Sequence, residues 1–316
     1  MLEVRDLEVA FGPVAPLSGV NFSINKGETL GIVGESGSGK SLTAMSVMGL
    51  LPLSGGRITA GSIMFDGQDL TKLKEPAYRK LRGGRIGLIT QNPMTSLDPL
   101  QKIGGQVDAV AMLHLGMTPK QARARTVEIL GTLRIPEPAT ICNRYPHQMS
   151  GGMKQRIVIA MALAADPDVL VADEPTTALD VTVQAQIMRL LHDLVKDRDL
   201  ALVLITHDMS VVAQTCDKVV VMYAGRAIEH GPVEAIFDAP QHPYTQALIN
   251  CIPKGLSEDE HLTGIPGTVP TVLNYPDGCP FHPRCTRAQD ICAVERPAVV
   301  PFGSGGAACH FAGAAP

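Results

Sequence analysis

Thr29-Leu30-Gly31-Ile32-Val33-Gly34-Glu35-Ser36-Gly37-Ser38-Gly39-Lys40-Ser41 is the stretch from which the rest of the chain is read. Residues 29–33 carry no charge and suit a buried strand. They run straight into G-x-x-x-x-G-K-[ST], and a helix is expected beyond it through Met48. Strand, loop and helix in that order form the context a phosphate-binding loop requires. Gly37 and Gly39 let backbone amides wrap a β-phosphate, and Lys40 places a point charge between the β- and γ-phosphates. Ser41 offers a hydroxyl to Mg²⁺. Gly34, Glu35, Ser36 and Ser38 complete the loop, and the amides of Leu42 and Thr43 are expected to reach the α-phosphate.

Working outward, residues 4–9 and 20–24 read as strands around a turn at Gly12-Pro13, and 63–65 and 86–89 as further strands. Residues 169–172, 201–205, 218–223 and 227–230 continue the series. Val183, Ile187, Leu190, Leu191 and Leu194 recur at helical spacing, which predicts a helix over 181–196 with one buried face. Helices are also expected over 119–133 and 155–165. Apolar strands alternating with helices argue an α/β domain with a mainly parallel core sheet. The helical block between about 93 and 155 is an insertion in it. From about residue 236 the composition turns rich in Pro and Cys.

A second glycine-bearing turn, Met149-Ser150-Gly151-Gly152, precedes Met153-Lys154-Gln155-Arg156. Glycines let backbone approach an anion closely, and a helix start aims unpaired N–H groups at it. Taken alone, such a turn more often means a Ser-capped helix. With a phosphate loop upstream it suggests a nucleotide held between two surfaces. Asp173-Glu174 ends an apolar strand, where Asp173 would orient Mg²⁺ and Glu174 would polarise the attacking water as general base. His207 ends the next apolar strand. A lone His there is commonly structural, but carboxyl ends of strands are where such sheets place their sites. There it would reach the γ-phosphate. Gln91, similarly placed, is expected to complete the Mg²⁺ shell. Phe11, before Gly12, is positioned to stack on adenine, although a core Phe is the commoner meaning.

Composition sets the bounds. The chain has 316 residues, 45% hydrophobic and 4% aromatic, with no Trp and a net charge of −4. That charge gives no electrostatic footprint for nucleic acid. No apolar run reaches the length needed to span a bilayer, and the start is no signal peptide. The chain therefore reads as soluble and cytoplasmic, which leaves docking on a membrane partner open.

With these motifs in this order, the chain resembles the ATP-hydrolysing subunit of an ABC transporter over residues 1 to about 235. Ala178-Leu179-Asp180 belongs to the same set, and Met149 stands where Leu is frequent. Three further stretches resemble the dipeptide and oligopeptide importers: Gln91-Asn92-Pro93-Met94-Thr95-Ser96-Leu97-Asp98-Pro99, His242-Pro243-Tyr244-Thr245, and Gly278-Cys279-Pro280-Phe281-His282-Pro283-Arg284-Cys285. The resemblance implies a P-loop nucleotide-binding domain over 1–235, with an antiparallel β subdomain and a helical subdomain at about 93–155. A Cys-rich extension would cover 236–316. It implies a head-to-tail pair of ATPases, the partner usually a different but related chain. Each ATP would lie between one subunit's phosphate loop and the Ser150, Gly151, Gly152 and Gln155 face of the other, with Asp180 coupling the sites. Two membrane-spanning permeases and an extracytoplasmic substrate-binding protein would complete the importer. This subunit would sit peripherally on the cytoplasmic face of the membrane. Small peptides are the expected cargo; nickel, haem, glutathione or a sugar are the alternatives. A soluble ABC-type ATPase without permeases is the other class.

Of seven cysteines, Cys279, Cys285, Cys292 and Cys309 crowd the C-terminus, separated by five, six and sixteen residues. No Cys-x-x-Cys pair is present, so the common zinc spacing fails. Four thiolates suit an iron–sulfur cluster, and the importer resemblance implies a [4Fe–4S] site on these four. Zinc and unligated thiols remain alternatives. Cys142, Cys216 and Cys251 are expected to be buried as small hydrophobes.

Overall fold

A computed structural model describes residues 1–177, 179–252 and 264–313. The chain opens with a hairpin, β1 (Leu2–Phe11) and β2 (Val14–Ile24), turning at Gly12-Pro13. Then follow β3 (Thr29–Val33), α1 (Lys40–Val47), β4 (Gly56–Phe65) and β5 (Gln68–Asp69). Next come α2 (Glu75–Leu81), β6 (Ile86–Ile89), α3 (Pro93–Ser96), α4 (Ile103–Leu115), α5 (Pro119–Thr132) and α6 (Pro138–Ile141). The middle of the chain supplies α7 (Gly151–Leu163), β7 (Val169–Asp173), α8 (Val181–Arg198), β8 (Ala201–Thr206), α9 (Met209–Thr215) and β9 (Lys218–Tyr223). The end supplies β10 (Arg226–Pro232), α10 (Val233–Asp238), α11 (Pro243–Asn250), α12 (Asp290–Val294), β11 (Val300–Phe302) and β12 (Gly305–Ala307).

The chain divides into two compact units. The first comprises 1–24, 29–71 and 205–316. In it β2-β1-β4-β5 form an antiparallel sheet. A second ladder runs β11-β12-β10-β9-β3, in which β3 and β9 pair in parallel from Leu30↔Lys218 to Val33↔Val221. Every residue of β3 is buried, as its uncharged run demands. The root of this pair is tied by Asp217: its carboxylate accepts from Thr29 N at 2.7 Å, and its own N–H donates to Thr29 O at 2.9 Å.

The Cys-bearing segment shares a core with this ladder. Val33, Val221 and Tyr223 pack in one cluster with Tyr244, Leu248, Cys279, Phe281 and Cys292. The rings of Tyr223, Tyr244 and Phe281 meet edge-on, with centroids 4.7 to 5.3 Å apart, in the geometry aromatic quadrupoles favour. α11 is capped by His242, whose Nδ1 accepts from Tyr244 N at 3.0 Å. Glu229 accepts from the His242 and Gln241 amides, which leads the chain into this cap.

The second unit comprises 25–28 and 72–204. β8, β7 and β6 are neighbours in that order, the last two residues of β8 belonging to the first unit. β6 pairs with β7 in parallel from Ile86↔Val169 to Ile89↔Ala172. The helical block is α3 to α7. α5 starts with a capping box in which Thr118 and Gln121 satisfy each other's backbone amides. α4 and α5 are joined by Asp108, which accepts two bonds from Arg123 and one from Thr126. No helix among the described residues is long and apolar enough to cross a membrane.

His242 gives a test of the α11 cap. Full burial depresses its pKa to about 3, and a proton on Nδ1 would break the cap. Unfolded His titrates near 6.5, so the unfolded chain binds the extra proton below that pH. Stability is then full above about pH 6.5 and falls by up to ~1.4 kcal/mol per unit as pH drops below it. Urea midpoints from pH 7.5 to 5 should show this slope, and His242→Gln should flatten it.

Candidate functional site

The phosphate loop belongs to the first unit. Gly34 has φ +156°, and a Cβ there would lie 2.2 Å from the Met222 carbonyl oxygen and 2.9 Å from Ser38 Oγ. Only glycine brings the backbone this close. Lys40 is almost wholly buried and donates from Nζ to Gly34 O at 2.7 Å and Glu35 O at 3.0 Å. Its ammonium is thus drawn back over the start of the loop. Ser38 Oγ is buried without a hydrogen-bond partner, an expensive arrangement for a hydroxyl. Ser36, Gly37 and Ser41 are exposed. Orphaned hydroxyl, exposed loop tip and retracted lysine together suit an anion.

Thr43 corrects an expectation. Its amide donates to Gly39 O at 3.0 Å and its hydroxyl to the same oxygen at 3.2 Å. The amide is already the first rung of α1 and is not available to an α-phosphate. Phe11 is half-buried, with its ring against Gly56, where a Cβ would lie 2.6 Å from the ring. The glycine lets the aromatic lie across the sheet. His207 is exposed at the end of β8.

In the second unit, Asp173 ends β7 and Glu174 follows at φ +46°, a backbone region that costs a non-glycine residue of order 1 kcal/mol. Its Oε2 accepts from Gln91 Nε2 at 2.9 Å and from Thr177 Oγ1 at 2.8 Å. The structure therefore brings Gln91 and Glu174 together, although 83 residues separate them.

The Ser-Gly-Gly turn is itself the first turn of α7, earlier than the helix expected from 155. Ser150 is its N-cap, its Oγ accepting from Met153 N at 3.4 Å. Ser150 and Gly151 are exposed. Gly152 has a packing reason: a Cβ there would lie 2.8 Å from Val183 Cγ1. Asp180 caps α8 by accepting from Val183 N at 3.0 Å, so Asp180 and Gly152 hold the same helix start from two sides. Ala178 lies outside the described residues. Gln155 does not join Ser150 on the surface: it is wholly buried, and neither amide atom has a partner. The cause is its place on the inner face of α7.

Cys279, Cys285, Cys292 and Cys309 line one small cavity of about 20 Å³ together with His282 and His310. Backbone amides of Arg287 and Phe311 donate to the sulfurs of Cys285 and Cys309 at 3.4 and 3.5 Å. Burial pushes the Cys279 thiol up to about 11 and raises those of Cys285 and Cys309. Among the described residues no group of three or more His, Cys, Asp or Glu is arranged to hold a metal ion. Cys142 is buried, while Cys216 and Cys251 are only half-buried.

The comparisons decide the family. The profile described as "ABC transporter" matches residues 17–177. The chain is 46% identical over 309 residues to the oligopeptide transport ATP-binding protein AppD of Bacillus subtilis (strain 168), covering 96% of this chain and 94% of the relative. This chain belongs to the ABC transporter ATP-binding proteins. Members of the family are ATPases coupled to transport. The oligopeptide transport ATP-binding protein OppD of Escherichia coli (strain K12) is 49% identical, covering 94% of this chain and 89% of the relative. The dipeptide transport ATP-binding protein DppD of the same organism is 45% identical, covering 98% and 96%. A profile described as "Oligopeptide/dipeptide transporter, C-terminal region" matches 228–292, and one described as "AAA domain, putative AbiEii toxin, Type IV TA system" matches 142–213. Among solved structures, a dimeric ATP-binding cassette in a post-hydrolysis state with ADP and Pi is similar at TM-score 0.66 and 28% identity. It covers 74% of this chain and 99% of its own.

One pairing that matters here was not read from the sequence. Val183, noted in the sequence only as the first member of the apolar stripe of α8, explains Gly152. Gly152→Ala should cost about 1–3 kcal/mol through overpacking, and Val183→Ala should restore most of it. Urea melts of the single and double variants measure both.

Proposed function

We propose that this chain is the ATP-hydrolysing subunit of an importer for short peptides, bound peripherally to the cytoplasmic face of the membrane. Similarity at 45–50% identity to oligopeptide and dipeptide transport proteins along nearly the whole chain carries this reading. The ATPase domain would cover residues 1–235, and 236–316 would be the importer-type extension, much of which lies in the profile match over 228–292. Two permeases and an extracytoplasmic binding protein are the partners this function requires. The exposed Met94, Leu100 and Leu113 around α3 and α4 suit a permease contact.

In this reading the amides of residues 34–41 and Leu42 hold the phosphates, and Lys40 moves from the Gly34 and Glu35 carbonyls onto the β- and γ-oxygens. Phe11 offers its outer ring face to adenine. Ser41 and Gln91 would hold Mg²⁺ and Asp173 would orient it, and the ion would supply charge neutralisation at the transferred phosphoryl group. Glu174 accepts the proton of the attacking water, released from Gln91 when Gln91 turns to the metal. His207 donates to the γ-phosphate. Ser150, Gly151 and Gly152 face the nucleotide of a second, related ATPase chain, and the dimeric state of the similar cassette supports that pairing. Asp180, at the start of α8, would sense that contact, and buried Gln155 would brace the turn from beneath. ATP, and not ADP, reaches across the pair, so binding biases it toward closure and hydrolysis releases it.

On the importer resemblance, Cys279, Cys285, Cys292 and Cys309 are the residues that would hold a [4Fe–4S] cluster, zinc being the alternative; as they stand they are not arranged around a metal. Four thiolates would hold the cluster, which would supply a rigid cross-link to a short, loop-rich segment. Anaerobically purified protein should be brown, with about four iron and four sulfide per chain. Colourless protein with one zinc and no iron would assign the site to zinc.

Glu174→Gln tests the hydrolytic assignment. Turnover should fall by about 10²–10⁴-fold, while ATP-bound, paired chains accumulate in sedimentation. Turnover close to that of the unaltered protein would overturn it.

A further inference from the structure

Arg284 has all five of its N–H donors committed. Nη1 and Nη2 grip the two oxygens of Glu35 at 2.8 and 3.1 Å, a bidentate pair. Nε donates to Pro266 O at 2.7 Å, Nη2 also to Ile265 O, and Nη1 also to Tyr223 Oη. The guanidinium lies 5.8 Å from the Tyr223 ring centre and 5.9 Å from that of Phe281. Its side chain is only 6% exposed. Glu35 is held a second time, its backbone N–H donating to Tyr244 Oη at 2.9 Å. Glu35 is the second residue of the phosphate loop, and Arg284 directly precedes Cys285 of the cysteine-lined cavity.

From this geometry we propose that Arg284 is a positioning residue for ATP binding: the C-terminal segment reaches back and neutralises and fixes Glu35 in the phosphate loop. The inference rests on the ATPase reading above. Its physics has two parts. A carboxylate inside a loop that takes up a triphosphate repels the ligand unless a cation cancels it. The same fork also fixes the loop's backbone, since the Glu35 carbonyl is one of two oxygens that hold Lys40 before nucleotide arrives. The aromatic rings of Tyr223 and Phe281 and the carbonyls of 265 and 266 keep the planar guanidinium aimed, which a lysine cannot reproduce. The cysteine cavity and the phosphate loop are thereby linked through Arg284 and one ion pair, and the C-terminal segment contributes to the loop's charge.

The experiment is ATP binding and hydrolysis by the full chain carrying Arg284→Gln, Arg284→Lys, Glu35→Gln, or Arg284→Gln with Glu35→Gln. Arg284→Gln should raise the KM and Kd for ATP about tenfold while kcat moves less than about twofold. Arg284→Lys should fall between. Removing the carboxylate as well should recover most of the affinity, because the repulsion leaves with it. A purely structural arginine would show no such recovery. If Arg284→Gln fails to fold, Arg284→Lys with and without Glu35→Gln gives the same comparison. Unchanged ATP affinity in the arginine variants, or a double variant as weak as the arginine variant alone, overturns the proposal. Absence of ATP binding by the unaltered chain would instead overturn the ATPase reading beneath it.

Discussion

The phosphate loop depends on one close approach, that of the Gly34 backbone to the Met222 carbonyl. A methyl group at Gly34 would stand 2.2 Å from that oxygen, so the end of β3 reaches the end of β9 only without a side chain. The parallel register from Leu30↔Lys218 to Val33↔Val221 delivers the two ends to this point. Asp217 locks the other end of the same pair through Thr29. The loop is therefore held at its root by a buried ladder, and its tip is left exposed. Lys40 and Ser38 meet the cost of that exposure in opposite ways, the lysine by bonding loop carbonyls and the serine by going unbonded.

The other side of β9 extends this support into the C-terminal segment. Tyr223 ends β9 and packs edge-on with Tyr244 and Phe281, both of which lie past residue 240. Tyr244 and Arg284 then hold Glu35 by backbone and side chain. A segment poor in regular structure, from 264 to 313, gains order by joining the core that carries the loop. In the second unit the same logic appears at smaller scale. Glu174 occupies a left-handed backbone conformation and is restrained by Gln91 and Thr177. Ser150 and Asp180 each cap a helix, and Gly152 lets the α8 start close on α7.

Much of this was legible because the signals are periodic or punctuated. Strands β3, β6 and β9 match their expected bounds residue for residue, since each is an uncharged or nearly uncharged run between turn residues. Glycine at 34 and 152 was visible, but its reason was not, because Met222 and Val183 are brought there by tertiary packing. The α7 start was read too late, at 155, because two glycines look like a turn when the residue that fills their space is remote. Gln155 was expected on the surface from its neighbours in the motif, and helical geometry turned it inward. Arg284 gave no signal of its own: one arginine in a Pro-rich run becomes informative only when Glu35, 249 residues away, is seen across from it.

In the proposed transporter, Ser150, Gly151 and Gly152 act on a nucleotide held by another chain. Vanadate trapped with Mg·ADP occupies the place of the γ-phosphate, and ultraviolet light then cuts the backbone beside it. In the assembled transporter this chain should be cut both within residues 34–41 and within residues 150–152, and the isolated chain should lose the second cut. Cleavage confined to residues 34–41 in the assembled transporter would contradict the account.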